Sequence, residues 1–434
     1  MTENKIEKCK GHRLCERTVF DSELCLLHLP SDHKNALNCD DYDQLLIDEI
    51  KQTPMRDDGR FALHWEKLNF PIDHVLFEHF KFDEVRDRLE KSWINISYSN
   101  IQNIRVGSYA IQTLVLSHST IHGNTIFPVA TIERLIMDSS KFLGKFHCAC
   151  SSNLFDARNA IFEDEFSFSS TISGLANFTN CRFKKACLFH GSRSLVFGDD
   201  DEFKIVGFDN AIFESSAQVL FQDIDLRKAS FESVSLVGVR FYNANFYQKS
   251  LNRNGLYNEV NFLQKFKSNG ADNKENNVKH YNHLMHEYRQ LRMAMENIKD
   301  FDNSHDFYVG EMESRKNRKW NFILEIYRFS SCYGTKYIRA FLILIVLFVI
   351  HFILTILLSA NLQIPNLFSS QDSIFSWKSL GDAMLHSLST VTLQRFNLIE
   401  NLSFCQRTLD AFFRIIFPIQ AAMFILALRN MTKR

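Results

Sequence analysis

Between residues 224 and 246 the chain sets one smaller and one larger apolar residue at fixed places in every five. The pairs are Ile224 and Leu226, Ala229 and Phe231, Val234 and Leu236, Val239 and Phe241, Ala244 and Phe246. An α-helix repeats every 3.6 residues and a strand alternates every two, so neither produces this spacing. It predicts a coil with five-residue sides, each turning one small and one large side chain inward. A longer repeat carries the pattern towards the N-terminus. Ile94-x-Ile96-x-x-Ser99-x-Ile101 returns as Leu114-x-Leu116-x-x-Ser119-x-Ile121 and as Leu135-x-Met137-x-x-Ser140-x-Phe142. It returns again as Phe155-x-Ala157-x-x-Ala160-x-Phe162 and Ala176-x-Phe178-x-x-Cys181-x-Phe183. These starts lie 20 or 21 residues apart, four pentads to a coil. After an insertion at about 191–202, the register is expected to resume at Val206-Gly207-Phe208, then at Ile224 and Ala244. Each coil can bury its open faces only against neighbouring coils, so stability belongs to the array.

Beyond the repeat the period changes. A polar stretch, 268–278, reads as a linker. Tyr281, Leu284, Met285, Tyr288, Leu291, Met295 and Ile298 then fall at helical spacing. A second helix is predicted to start with Asn303 or Ser304 as its cap and to run through Phe307, Tyr308, Glu311, Met312 and Arg315. Residues 340–360 are apolar apart from His351 and a few small polar positions, long enough to cross the roughly 30 Å hydrocarbon layer of a bilayer. Residues 411–428 form a second apolar stretch carrying Arg414, Pro418 and Gln420. Asp410 and Arg414 are four apart and can pair along one helix face, or Arg414 can snorkel to the interface. Gln420, near midspan, predicts an interhelical bond or a pore lining, and His351 a satisfied buried histidine. Basic residues flank the outer ends of both spans (Lys336, Arg339, Arg429, Lys433, Arg434), which predicts that both termini are cytoplasmic. The resulting division is 1–35, a Cys/His segment; 36–91, a helical or irregular cap; and 92–250, the solenoid. Residues 251–278 are the linker, 279–336 a helical hairpin and 337–434 a region with two transmembrane helices.

Composition narrows the chemistry. Lys+Arg and Asp+Glu stand at 50 each, so no overall field attracts nucleic acid. Phe is abundant, at 41, while Gly and Pro number only 15 and 6, which suits a repetitive stacked core. The first ten residues hold no apolar run of the signal-peptide kind, so the thiols are expected in a reducing cytosol. Cys9, Cys15, Cys25 and His28 form a C-x5-C-x9-C-x2-H arrangement, the ligand set of a closed structural zinc site, with His12 a competing ligand. The other cysteines read as small apolar fillers. His283 and Glu287, four apart, form a two-ligand step that solvation on a helix face explains as well. No phosphate loop, nucleophile–base set or catalytic metal motif points to an enzyme.

Ala244-Asn245-Phe246-Tyr247-Gln248, Ala229-Ser230-Phe231-Glu232-Ser233 and Ala176-Asn177-Phe178-Thr179-Asn180 resemble the A(D/N)Lxx unit of pentapeptide-repeat proteins. The resemblance implies a mixed fold, a right-handed quadrilateral β-helix followed by a helical hairpin and two transmembrane helices. The N-terminal coils depart from the family pattern, with Ile, Leu and Val in place of Ala, Asp and Asn. One branch of that family mimics DNA, which needs a strongly acidic surface. Here 13 acidic residues face 10 basic ones between 151 and 250, so mimicry is not expected. A Cys/His knuckle at the start is similar to that of membrane-anchored members. Residues 281–434, with Tyr288-Arg289-Gln290-Leu291 and Tyr333-Gly334-Thr335-Lys336-Tyr337-Ile338-Arg339, resemble a module of bacterial pentapeptide-repeat membrane proteins. That module leads into a region similar to the pore unit of tetrameric cation channels. The likeness implies an outer helix at 340–360, a pore helix near 379–393 and an inner helix at 411–428. Residues 389–396 stand where a potassium filter would be, yet contain no glycine, and Gln394 and Arg395 occupy its mouth. The functional expectation is a multi-pass protein of the bacterial inner membrane whose cytosolic rod senses a partner. Its two-helix region would homo-oligomerise in the lipid bilayer as a pore-like effector, with membrane-permeabilising defence as one use. A non-conducting, membrane-tethered scaffold that binds a protein through the β-helix or the knuckle is the alternative.

Overall fold

The computed structural model describes residues 39–57, 60–65, 75–76, 85–107, 110–191, 206–214, 217–250, 253–260, 274–319, 321–361, 377–393 and 404–432. Cys9, Cys15, Cys25, His28, Gln394, Arg395 and most of the insertion lie outside them. The chain divides into two compact units, Met1–Glu311 and Met312–Arg434.

The first unit is a parallel β-solenoid through residues 93–242. Its described strands form two eight-stranded sheets and one six-stranded sheet. The register follows the 20-residue arithmetic. Ile94 pairs with Leu114, Leu114 with Leu135, Leu135 with Phe155, Phe155 with Ala176, and Ala176 with Val206 across the insertion. The next partner of Val206 is Ala229. Ile224 and Ala244 belong instead to another side, where Asp225 bridges Asn245. The period is right there, but the side differs.

One coil shows how the sequence builds the four sides. Phe155 and Ala157, Ala160 and Phe162, Phe166 and Phe168, Ser170 and Ile172 all face inward and are buried. Equivalent phenylalanines stack from coil to coil. Phe142, Phe162, Phe183 and Phe213 are 5.0, 5.1 and 5.3 Å apart between successive ring centroids. A second column runs through Phe178, Phe208 and Phe231 at 5.2 Å per step. Each ring thus finds the apolar neighbour that its large surface requires.

Corners demand a different chemistry. Tyr98, His118, Ser139, Asn159, Asn180 and Asn210 occupy one corner in successive coils, all with φ near +57°. Asparagine tolerates this left-handed region better than most residues. Here it is also tied down, since Asn180 Nδ2 donates to Asn159 Oδ1 at 3.0 Å and Asn159 Nδ2 to Asp138 Oδ1 at 3.0 Å. The small inward position beside this corner satisfies a backbone acceptor in the preceding coil. Ser119 Oγ donates to the Ile96 carbonyl (2.9 Å), Ser140 Oγ to Leu116 (2.6 Å) and Cys181 Sγ to Ala157 (2.8 Å).

At the N-terminal edge, Phe61–His64 pairs in parallel with Ser92–Asn95, and Val75–Leu76 with Asn103–Arg105. Part of the segment expected as a helical or irregular cap therefore adds strands to the solenoid. Helices α1 (Cys39–Gln52) and α2 (Arg86–Leu89) accompany these strands, and Leu46, Ile47, Ile50 and Leu89 join the core. At the other edge an antiparallel pair, Tyr247–Ser250 with Arg253–Gly255, leads to α3 (Lys274–Asn297) and α4 (Phe301–Arg318). Helix α3 takes in the second half of the stretch read as a linker. The cap of α4 is Asp300, whose Oδ1 accepts the Asn303 amide at 3.2 Å, and not Asn303 or Ser304.

The second unit is helical. Helix α5 (Phe322–Ser331) precedes α6 (Tyr337–Asn361), α7 (Trp377–Thr392) and α8 (Phe404–Thr432). Helices α6 and α8 are long and apolar enough to cross a membrane, and few of their side chains are buried. Helices lie over all three predicted stretches, 340–360, 379–393 and 411–428.

Candidate functional site

Helix α8 buries Gln406, Asp410, Phe413, Phe417, Gln420 and Ala427. Their spacing of three, four or seven places them on one stripe, and the stripe carries three polar groups among apolar ones. Each polar group needs a partner once it is buried.

Asp410 finds two. Its Oδ1 lies 3.1 Å from His351 Nε2 on α6, and its Oδ2 lies 3.0 Å from His386 Nε2 on α7. A single carboxylate thus bridges three helices. His351 Nδ1 is 3.0 Å from the Ser387 hydroxyl, the next residue along α7. His351 and Ser387 are fully buried, and His386 and Asp410 almost so. Phe413 packs edge-on against the His351 ring at 4.9 Å.

Proton placement follows from donor and acceptor chemistry. An ionised carboxylate only accepts, so each Nε2 must carry a proton. Neutral His351 then offers Nδ1 as an acceptor, which the Ser387 hydroxyl fills. Neutral His386 has the same lone pair at Nδ1, but that atom is buried without a hydrogen-bond partner among the described residues. Around the cluster, Ser389 and Thr390 both donate to the His386 carbonyl (2.7 and 3.1 Å), and Thr355 to that of His351 (2.9 Å).

Ser387, His351 and Asp410 form a continuous hydroxyl–imidazole–carboxylate chain, the residue set of a nucleophilic triad. Ser387 Oγ, however, sits between packed helices, and reaching a substrate would require those helices to part. The two Nε2 atoms address separate carboxylate oxygens instead of a common point. No group of His, Cys, Asp or Glu suited to a metal occurs among the described residues.

The polar span residues divide accordingly. His351 is satisfied, as read from sequence. Gln420 makes the expected interhelical bond, from Nε2 to the Ala340 carbonyl on α6 at 2.8 Å. Asp410 does not pair with Arg414 one turn away, because two imidazoles claim both its oxygens. Arg414 Nε is buried without a hydrogen-bond partner among the described residues. His386 escaped the sequence reading. Its signal was present: a histidine in the segment between two apolar stretches, beside Ser387 and with Asp410 across the turn.

Other polar candidates lie in the solenoid unit. His283 pairs with Glu232 at 2.7 Å, while Glu287 accepts the Phe231 amide at 2.9 Å, so the two are engaged apart from each other. Cys148 and Cys150 are buried with their sulfurs 3.3 Å apart. Burial pushes the Cys148 and Cys187 thiols well up, consistent with inert fillers.

No protein-family model matches the chain, and no curated protein or solved structure is similar to it.

Proposed function

We propose that this chain is a membrane-anchored pentapeptide-repeat protein of the bacterial inner membrane. In this reading Met312–Arg434 forms the pore-like unit of a homo-oligomer, and the solenoid binds a protein partner in the cytoplasm. The observation that carries it is the 16-residue α7, tied between two long helices by the His351–Asp410–His386 bridge.

Length supports this arrangement. At 1.5 Å per residue, the 25 residues of α6 and the 29 of α8 reach about 37 and 43 Å, enough to span a ~30 Å layer with some tilt. The 16 residues of α7 reach about 24 Å and fall short. A short helix entering the bilayer must be held by its neighbours, since lipid satisfies no backbone group at its end. The carboxylate bridge supplies that hold. Ionisable groups at such depth are costly, and they persist where a pathway or a gate uses them.

Expression of the full chain, with membrane potential followed by a voltage-sensitive dye, tests the reading. Depolarisation is expected, and Asp410→Asn should abolish it while leaving the chain in the membrane fraction. Asparagine keeps one acceptor but turns an N–H towards the other imidazole, so a hydrogen bond to a charged group is lost, at a cost of about 1.5–3 kcal/mol. An unchanged potential in the presence of ordered oligomers would sink the proposal. The lack of glycine from Ser389 to Phe396 favours the alternative, a non-conducting tether, and full activity from residues 1–270 alone would establish it. Cys9, Cys15, Cys25 and His28 are proposed to hold one structural zinc. Metal analysis of the purified chain should find one equivalent, lost in Cys25→Ser.

A further inference from the structure

On the outer surface of the solenoid several cations are matched by a carboxylate one coil away. Lys141 pairs with Glu163 at 3.4 Å, Lys145 with Glu165 at 2.7 Å and Lys185 with Asp164 at 2.9 Å. Arg134 departs from this arrangement. Its neighbours across the sheet are Thr113 on one side and Leu154 on the other, and neither carries a charge. The exposed guanidinium has no hydrogen-bond or ion-pair partner among the described residues. It lines a groove of about 440 Å³ near the N-terminal edge of the solenoid, a volume within the range of small-molecule pockets. Glu133, next to it in sequence, does not line that groove.

Strand register sets the floor of the groove. Ala62 pairs with Trp93, Trp93 with Thr113 and Thr113 with Arg134, so the four stand in one row across the sheet. Just before Phe61 in the chain, the Arg56 amide donates to the Arg60 carbonyl at 2.9 Å and closes a turn. That turn brings two more guanidiniums to the lining. Arg56 is held there, with Nη2 3.3 Å from His64 Nε2 and Cζ 5.9 Å from the centre of the Trp93 ring. Among the described residues no carboxylate lines the groove. Two polar groups in it also lack partners among those residues. Thr113 is only 8 % exposed, yet its hydroxyl makes no hydrogen bond. Gln112 Oε1 is buried and unbonded as well. Buried polar groups are normally satisfied, so this pair marks a space that an occupant completes.

We infer that this groove binds a small organic phosphate, a phosphate monoester whose charged end meets the arginines. Charge and oxygen count select the phosphate. Three guanidiniums present forked donors, and the Thr113 hydroxyl adds another. A monoester brings nearly two negative charges and three acceptor oxygens to them, where a carboxylate brings one charge and two oxygens. The rest of the lining selects the organic part. Bare phosphate would leave most of the groove empty, and Trp93, Val115 and Ile136 offer apolar surface to the group carried on the ester oxygen. The Gln112 amide can bond a polar atom of that group. The site is built within the solenoid unit alone, so it stands independently of the membrane reading of α6 and α8.

Phosphorus NMR of phenyl phosphate titrated with the full chain in detergent micelles tests it, with inorganic phosphate as the second probe. The phenyl phosphate signal should shift saturably, and inorganic phosphate should bind about tenfold more weakly or less. Arg134→Gln should weaken phenyl phosphate on the order of 10- to 100-fold, the effect of losing hydrogen bonds to a charged group. Thr113→Val keeps the branched shape without the hydroxyl and should cost about tenfold. Both variants should melt like the parent by circular dichroism, since neither side chain bonds to the rest of the fold. Arg240→Gln removes the same charge from a different sheet of the solenoid and should leave binding unchanged. Equal weakening by Arg240→Gln would overturn the inference by showing attraction to the general charge alone. Unaltered binding to folded Arg134→Gln would overturn it by placing the anion elsewhere. Inorganic phosphate binding as tightly as the ester would remove the organic part of the assignment, and no saturable shift at millimolar phenyl phosphate would remove the site.

Discussion

Glu287 closes the C-terminal end of the solenoid with a buried carboxylate. The last coil has donors with no further coil to receive them, and α3 provides the acceptors. Glu287 Oε1 takes the Phe231 amide at 2.9 Å, and Gln290 Oε1 takes Leu236 at 3.2 Å. Two hydrogen bonds favour the ionised form, but burial outweighs them, with the charges of Asp209 and Glu232 adding to it. The pKa is raised from 4.5 to about 7. Because the folded state binds this proton more tightly than the unfolded chain, the associated stability is complete below about pH 4.5. It is lost as pH rises through 7. The edge of the solenoid should therefore loosen progressively between about pH 4.5 and 7. Hydrogen exchange of α3, corrected for intrinsic rate, should show that loosening in the full chain. Glu287→Gln keeps an acceptor without a charge and should flatten the dependence. At pH 8 it should protect α3 by at most about 3 kcal/mol, on the order of 100-fold in exchange. An unchanged pH slope in that variant would assign the effect elsewhere.

Helix pairing in the hairpin depends on one missing side chain. Gly310 of α4 faces Tyr288 of α3 so closely that a Cβ there would lie 2.3 Å from the ring. Tyr288 cannot easily yield, since it is fully buried, donates to Glu259 at 2.7 Å and accepts the Leu256 amide at 3.2 Å. Gly310→Ala should cost about 1–3 kcal/mol by overpacking, despite the gain in helix propensity, and lower the melting temperature in detergent. The helices themselves were largely legible in the sequence, because α3, α6 and α8 carry sustained apolar periodicity or length. Their ends were less so. Asp300, Asn303 and Ser304 are all good caps, and only the folded backbone selects Asp300. Helix α5 was missed because its ten residues read as spacer between basic residues and a span. The carboxylate bridge was half legible. His351 and Asp410 stood out as polar groups in or beside apolar runs, but nothing local to residues 377–392 says that His386 comes to meet them. That meeting is set by how three helices pack, which no one-dimensional period encodes.

At the scale of the solenoid, the unit of structure is the coil, and this makes deletion a sharper probe than substitution. Leu135 pairs with Phe155 and Ile136 with Asp156, so the two coils are equivalent there. Removing residues 136–155 joins Leu135 to Asp156 and leaves every later residue on its proper side. Phe162 would then stack on Ile121, where Phe142 stacked before, since Ile121 and Phe142 already occupy paired positions. The ion pairs from Lys141 and Lys145 to Glu163 and Glu165 would vanish, but they are exposed or half-exposed and contribute little. The loss is thus mainly one interface between stacked neighbours. Removing residues 136–145 instead brings Phe146 to the place of Ile136. That half-coil shift misaligns the Phe columns, the left-handed corner and the Ser119–Ser140 ladder together. If stability is a sum of coil and neighbour terms, the 20-residue deletion keeps a single cooperative thermal transition at a lower midpoint. The 10-residue deletion should fail to give folded protein although it removes half as much. Circular dichroism melts and size-exclusion profiles of the two deletion chains decide the matter. Equal damage from both would mean that the array does not behave as interchangeable coils, and that the departures from the repeat near its N-terminal edge matter more than its period.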